Sequence, residues 1–223
     1  AAGSSFTARS VCGLGGTTLC AVGEQGPGGG TVFYVDTEGR YSDFDYLEVA
    51  PTDASTAGLS IGVAWSATTP DCGLSADTSC REAFLTTSGE ALNYFAMGTG
   101  RAATAAIIAR HDAGGVAKAD FAAGLADAYT TEKASDWFLP SKDELNEVCK
   151  YARNTGQAAG ADIVCTGGEL RDGFSEFYYW SSSEVYAIYG LAQNFEFGFG
   201  YEYGNQYASG KNSMLYVRPV RAF

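Results

Sequence analysis

The 223-residue chain predicts an α+β fold. Strand patterns sit at its two ends, helical patterns fill the middle, and 29 glycines make it loop-rich. Runs of strands separated by a run of helices favour segregated α and β layers over an alternating parallel sheet. With 46% apolar and 18% charged residues, a packed core is expected and disorder is not.

Each element has a local reason. Thr31–Val35 (TVFYV) is β-branched and aromatic, and Tyr46–Ala50 (YLEVA) reads as a second strand. The stretch from Pro51 to Cys80 is rich in Ser, Thr, Gly and Asp and reads as irregular, with Trp65 as its one large anchor. Three helices are expected next. Glu82–Met97 carries Phe84, Leu85, Leu92 and Phe95, weakened by Gly89. Ala102–Arg110 has the strongest propensity, with Ile107 and Ile108 marking its buried side. Ala117–Tyr129 spaces Phe121, Leu125 and Tyr129 four apart. Trp137–Leu139 forms a short strand stopped by Pro140. Ser141-x-x-Glu144 is a capping box launching Lys142–Arg153, with Leu145, Val148 and Tyr151 inward. Short strands follow at Phe177–Ser183, Gln193–Phe197 and Leu215–Phe223.

Charge and motif content exclude several functions. Fourteen basic against 26 acidic residues leave a net charge of −12, which argues against binding a phosphate backbone. No apolar run reaches the ~18 residues that span a bilayer, so no membrane insertion is expected. The first residues, AAGSSF, carry no basic or apolar leader pattern, so any export signal is expected to have been removed or to lie outside this sequence. The single histidine, His111, ends an Ala-rich helix beside Asp112 and reads as a partly exposed residue favourable to the helix dipole. One histidine leaves little scope for a catalytic triad or a histidine metal site. No GxSxG, P-loop or HExxH motif occurs, and Gly26–Gly30 (GPGGG) precedes a strand, so it is no phosphate cradle. Asp71/Asp77 and Asp43/Asp45 read as solvated loop carboxylates before they read as calcium ligands. The expectation is a non-enzyme with no cofactor and no metal.

Six cysteines allow fifteen pairings. Cys12/Cys20 and Cys72/Cys80 each enclose seven residues and Cys149/Cys165 fifteen, so three local disulfides are the simplest pattern, with buried free thiols as the alternative. Disulfides imply an extracytoplasmic setting, on a cell surface, secreted or on a virion. Closing such loops contributes roughly 2–3 kcal/mol each.

The last third is compositionally distinct. Thirteen aromatic residues fall between Phe174 and Tyr207, and Glu196 and Glu202 are the only charges from Val185 to Gly210. Phe195, Phe197, Phe199, Tyr201 and Tyr203 occupy every second position, which aligns them on one face of an extended strand. Such a face is either buried or a recognition surface. Tyr beside Gly, Ser and Asn is the composition of contact loops, and a core strand seldom carries glycines such as Gly198, Gly200 and Gly204.

Seven segments occur in order: GPGGGTVFYVD (26–36), LEVAP (47–51), GTGRAATAAII (98–108), SDWFLPSKDELN (135–146), YYWSSSE (178–184), QNF (193–195) and YVRPVRAF (216–223). From about residue 26 to the end, the chain resembles the C-terminal domain of Lcl-type collagen-like adhesins and the variable proteins of diversity-generating retroelements, found in phages, archaeal viruses and bacteria. The resemblance implies a C-type lectin fold: small mixed or antiparallel sheets with flanking helices, and N- and C-terminal strands paired, here Thr31–Val35 with Tyr216–Phe223. Residues 1–25 are then an N-terminal arm or linker, and 26–223 a ligand-binding domain with its variable region at about 178–223. Trp137 and Trp180 become core posts, and Arg218 and Arg221 partners of carboxylates or backbone carbonyls. The EPN and QPD triplets of calcium-dependent sugar-binding lectins are absent.

The resemblance also implies a codon rule. Unfaithful copying at template adenines diversifies Asn codons, which cannot become Trp, Met, Gln, Glu or Lys. Between Val185 and Val217 the residues outside the reachable set are Gln193, Glu196, Glu202, Gln206, Lys211 and Met214, expected to be fixed scaffold. The expected variable contacts are Val185, Tyr186, Ile188, Tyr189, Leu191, Phe197, Phe199, Tyr201, Tyr203, Asn205 and Tyr207, with Phe195 in the core and the strand broken near Gly198–Gly200. The implied function is recognition of a protein or glycan ligand on another cell or virion, without nucleic acid. Two rivals are a fixed-surface adhesin binding a host or matrix polysaccharide, and an enzyme akin to the formylglycine-generating family, which would need a reactive cysteine pair.

Overall fold

The computed structural model describes residues 12–13, 18–55, 62–66, 86–87, 90–91, 94–153, 165, 167–186, 189–195 and 204–223. In chain order they contain strands β1 (Thr31–Val35), β2 (Tyr46–Val49), β3 (Thr86–Thr87) and β4 (Glu90–Ala91), and helix α1 (Gly100–Ala113). A 3-10 turn (Lys118–Asp120), helices α2 (Ala122–Ala128) and α3 (Lys142–Ala152), and strands β5 (Tyr178–Tyr186), β6 (Tyr189–Asn194), β7 (Gln206–Gly210) and β8 (Val220–Ala222) follow. The fold is mixed α+β. One antiparallel sheet has the order β1-β2-β8, a second β5-β6-β7, and β3 pairs with β4.

The terminal strands share a sheet but are not neighbours. β2 lies between them, pairing with β1 through Thr31↔Val49 and with β8 through Leu47↔Ala222. The physical reason is edge occupancy. The chain just before β1 takes that strand's outer edge, with Gly23 N donating to Val32 O and Val32 N to Glu24 O, both at 2.8 Å. The outer edge of β2 is what remains for β8. Phe138 bridges to Val220 on the far side of β8, which is where the short strand ending at Pro140 is used. The C-terminal segment is not one strand: Leu215, Tyr216 and Val217 form isolated bridges, and Pro219, which has no N–H, separates them from β8.

GPGGG turns out to cradle an anion that belongs to the chain itself. Glu48 on β2 is fully buried, and its carboxylate accepts from Gly28 N at 2.8 Å, Gly30 N at 3.0 Å and Arg221 Nη1 at 2.9 Å. A Cβ at Gly26 or Gly28 would lie 2.4 or 2.3 Å from a Glu48 oxygen, so close backbone approach requires glycine there.

α3 forms as the capping box dictates: Ser141 Oγ accepts from Glu144 N, and Glu144 Oε2 accepts from Ser141 N at 2.7 Å. Glu144 also accepts from Gly98 N at 2.8 Å, so one carboxylate ties the start of α3 to the chain entering α1. Burial pushes this carboxyl up to about 7, against the opposing pull of the Ser141, Gly98 and Gly100 N–H groups.

Three helical expectations need correction. Within 82–97 the described residues are β3, β4 and the turns from Tyr94, and the β-branched pair Thr86–Thr87 favours strand over helix. The helix expected over 117–129 is split at Phe121, whose extended backbone (φ −146, ψ 155) drives its ring into the core. His111 is not partly exposed: it is 3% exposed, with its ring stacked on Phe121 at 3.8 Å.

Two cores result. One gathers Trp65, Ile107, Phe121, Leu125, Leu139 and Trp180 between α1, α2 and β5, and the other Phe33, Leu47, Val49, Leu145, Val148, Tyr179 and Phe195 between the β1-β2-β8 sheet and α3. Neighbouring residues Tyr179 and Trp180 point to opposite sides of β5 and so feed one core each. The indoles are bonded reciprocally, Trp65 Nε1 to Ser181 O at 2.8 Å and Trp180 Nε1 to Val63 O at 2.9 Å. Trp137 is 2% exposed, the core post it was expected to be.

The disulfides Cys12–Cys20 and Cys149–Cys165 are formed, and Cys72 and Cys80 lie outside the described residues. Cys12 and Cys20 pack with Val32 and against Phe223, so the described part of the N-terminal arm is joined to the closing sheet. Among the described residues no helix is long and apolar enough to cross a membrane.

Candidate functional site

The candidate recognition surface is built on the β5-β6-β7 sheet. β5 pairs with β6 through Tyr178↔Asn194, Trp180↔Ala192 and Glu184↔Gly190, and β6 with β7 through Tyr189↔Gly210, Leu191↔Ala208, Ala192↔Tyr207 and Gln193↔Gln206. Directly paired residues project to the same face. One face therefore carries Trp180, Gly190, Ala192 and Tyr207, and the other Tyr179, Leu191, Gln193, Ala208 and Gln206.

The base of the sheet is locked to α3 and to the core by buried polar groups. Gln193, fully buried, donates from Nε2 to Asn146 Oδ1 and Gly204 O, both at 2.8 Å. Gln206 Nε2 donates to Lys142 O at 2.7 Å. Phe195 is fully buried, its N donates to Phe177 O at 2.9 Å, and Arg153 Nη1 donates to its carbonyl at 3.2 Å. Gly204 (φ +71) lies so close to Cys165 that a Cβ would fall 1.5 Å from the Cys165 carbonyl oxygen. On the other face, Gly190 lets Trp65 lie against the sheet, with a Cβ there only 2.7 Å from the indole. Lys211 stands 4.6 Å over the Trp65 ring and pairs with Glu184; burial lowers the Lys211 pKa, and Glu184 opposes that shift.

Arg218 and Arg221 fasten the C-terminal segment to carboxylates and carbonyls. Arg218 Nε pairs with Asp53 at 2.6 Å and its Nη1 donates to Ala50 O at 2.9 Å, while Arg221 pairs with Glu48 and Asp136. Asp53 also accepts from Tyr179 Oη at 3.1 Å and Ser175 Oγ at 3.2 Å. Burial raises the Asp53 carboxyl, and it pushes the Tyr179 phenol up to about 12.

The expected contact residues divide among these surroundings. Tyr189 is 37% exposed, and Val185, Leu191, Asn205 and Tyr207 are half-buried. Tyr186 lies in β5 beside Tyr189. Ile188, Phe197, Phe199, Tyr201 and Tyr203, and the expected break at Gly198–Gly200, lie outside the described residues. The strand pairing places Leu191 and Tyr207 on opposite faces, so the described positions do not form one flat patch. Tyr207 instead joins a row of rings: Tyr207–Tyr178 at 6.0 Å, Tyr178–Phe177 at 5.7 Å and Phe177–Tyr216 at 5.8 Å, with Phe177 42% exposed. Phe177, Tyr178 and Tyr216 were not among the expected contacts; Phe177 and Tyr178 belong to the aromatic cluster preceding WSSSE and Tyr216 to the C-terminal segment.

Among the described residues no group of three or more His, Cys, Asp or Glu is placed to hold a metal ion. Cys149 and Cys165 are buried and joined to each other, so they do not present the open thiol pair that the enzymatic rival requires. The chain matches no protein-family model and no curated protein.

Proposed function

We propose that the chain is a non-enzymatic ligand-binding domain of the C-type-lectin type, whose C-terminal surface is diversified by a retroelement to recognise a receptor on another cell or virion. One division of labour carries this reading. Of the positions that adenine-directed copying cannot produce, Gln193, Gln206 and Lys211 hold the sheet to its scaffold through hydrogen bonds or a buried ion pair. Among the described residues Met214 is the exception, exposed and outside that frame, and Glu196 and Glu202 lie outside the described residues. Tyr189, Leu191 and Tyr207, which such copying can produce, reach the surface fully or in part. Ala192, Phe195, Leu215 and Val217 are reachable by the codon rule yet buried, and the reading assigns them invariant codons. Large, rigid rings in a small cluster supply affinity, and the half-buried contacts around them exclude water.

The DNA flanking the gene tests it. The expected result is a reverse-transcriptase gene and a near-copy of the 3′ coding end, with adenines at the codons for Tyr189, Leu191 and Tyr207 and no adenine mismatches at those for Gln193, Gln206 and Lys211. Absence of the near-copy, or mismatches concentrated on the three scaffold codons, overturns diversification and leaves a fixed adhesin.

A further inference from the structure

His111 is the only histidine of the chain, and it occupies a junction of α1, the stretch 62–66 and the entry to α2. Its Nδ1 lies 2.8 Å from Ile107 O within α1, its Nε2 lies 3.2 Å from Ser66 Oγ, and its ring stacks on Phe121 at the entry to α2. A carbonyl can only accept, so Nδ1 carries the proton and Nε2 accepts from the Ser66 hydroxyl. Ser66 lies in the described stretch 62–66, a wedge between the helices and the candidate recognition sheet. Trp65 N and Ser66 N donate to Lys211 O at 2.8 and 3.3 Å, Val63 bridges to Leu215, and Ala64 O accepts from Ala122 N at 2.9 Å. The Trp65 ring lies under Gly190 of β6.

We propose that His111 is an acid-sensitive latch: neutral, it holds the 62–66 wedge between the α1–α2 layer and the β5-β6-β7 sheet, and protonated, it releases them from one another. Protonation at Nε2 removes the acceptor that Ser66 uses and forces its hydroxyl to reverse. It also places a cation in a site that is 3% exposed. Among the described residues the charged groups around it do not repair this. Lys211, at the turn after β7, and Arg110 on α1 oppose the new charge, Asp112 on α1 favours it, and Glu184 on β5 is paired with Lys211. Lys118 and Asp127, flanking Phe121, are paired with each other at 2.5 Å, and residues 62–66 carry no charge. The Phe121 face offers a partial offset. Burial is the largest influence and lowers the His111 pKa from 6.5. A base depressed on folding stabilises the fold fully above its unfolded value, and that contribution is lost as pH falls below it. The latch therefore loosens on acidification, whatever the sheet binds.

The test uses the wild-type chain. Proton NMR of the single imidazole, from pH 8 to 4.5, reads its midpoint without assignment ambiguity. Amide exchange at pH 7.5 and 5.0, corrected for intrinsic rate, reads the wedge at Trp65, Ser66 and Ala122 and a control at Phe138 in the other sheet. The expected result is a midpoint below 6.5 and a loss of protection that is larger at the wedge than at Phe138, by up to about tenfold for each pH unit of depression. His111→Gln is expected to abolish the loss. An imidazole that titrates near 6.5 with unchanged wedge protection overturns the latch, as does an equal loss at Phe138 or in the variant. The titration decides even if the variant does not fold.

Discussion

The two three-stranded sheets solve opposite problems. In β1-β2-β8 the middle strand is buried along Leu47, Glu48 and Val49, and even its carboxylate is enclosed by glycine N–H groups and Arg221. In β5-β6-β7 the outer strand β7 is exposed or half-buried along its whole length, and the buried polar groups gather at its base. A strand enclosed by its surroundings has no side chain to spare for a ligand. A strand held mainly from one end leaves its remaining positions free to change at little cost to stability. The difference teaches that a buried polar lock, and not a larger apolar core, separates scaffold from surface in this molecule.

The largest expected effect breaks the enclosed sheet. Glu48→Ala leaves Arg221 and two glycine N–H groups without their buried acceptor and is expected to cost about 3–5 kcal/mol in urea unfolding. Glu48→Gln, which keeps one acceptor oxygen, is expected to cost less. Next is the lock of the open sheet. Gln193→Ala removes the Nε2 donor that Asn146 Oδ1 and the Gly204 carbonyl accept from, with an expected loss of about 1–3 kcal/mol. Smaller still is Tyr189→Ala, expected to stay within about 0.5 kcal/mol of wild type while removing a ring proposed for recognition. If Tyr189→Ala proved as costly as Gln193→Ala, the contrast between the sheets would fall.

Acid sharpens the comparison through a third site. Glu144, raised to about 7 against an unfolded value of 4.5, binds more protons folded than unfolded between those values. Its contribution is complete below 4.5 and is lost as pH rises towards 7. His111 tilts stability the other way over the same range. Glu144→Gln is expected to remove the first slope and leave stability rising with pH up to about 6.5, read as thermal midpoints across pH 4.5–7.5.

Much of the frame was legible because its signals are local. β1 spans the predicted residues and β2 stops one residue short, since β-branched and aromatic runs bounded by glycine or proline need no distant partner to declare themselves. The Ser141–Glu144 box names its own two hydrogen bonds. The pairs Cys12–Cys20 and Cys149–Cys165 followed from spacing. Failures arose where a distant contact outweighed spacing. Phe121 sits in a helical pattern, yet its extended backbone places it against His111. The seven residues of α2 and the pair β3–β4 lie where 13- and 16-residue helices were expected.

The candidate site divides in the same way. The codon rule groups Gln193, Gln206 and Lys211 as expected scaffold; what each one bonds came from the strands and helices that surround it. Alternation along β6 and β7 is a sequence property, but which faces are covered was decided by α3 on one side and Trp65 on the other. The amino-acid sequence by itself determined the α+β class, the capped helix and the aromatic tail, and made local disulfides the simplest pattern, because hydrogen-bond capping, chain stiffness and loop closure act within a few residues. Tertiary structure alone decided the strand order, the burial of His111 and the use of GPGGG around Glu48. Each of these depends on which edge, cavity or charge remains unoccupied after the rest of the chain has packed.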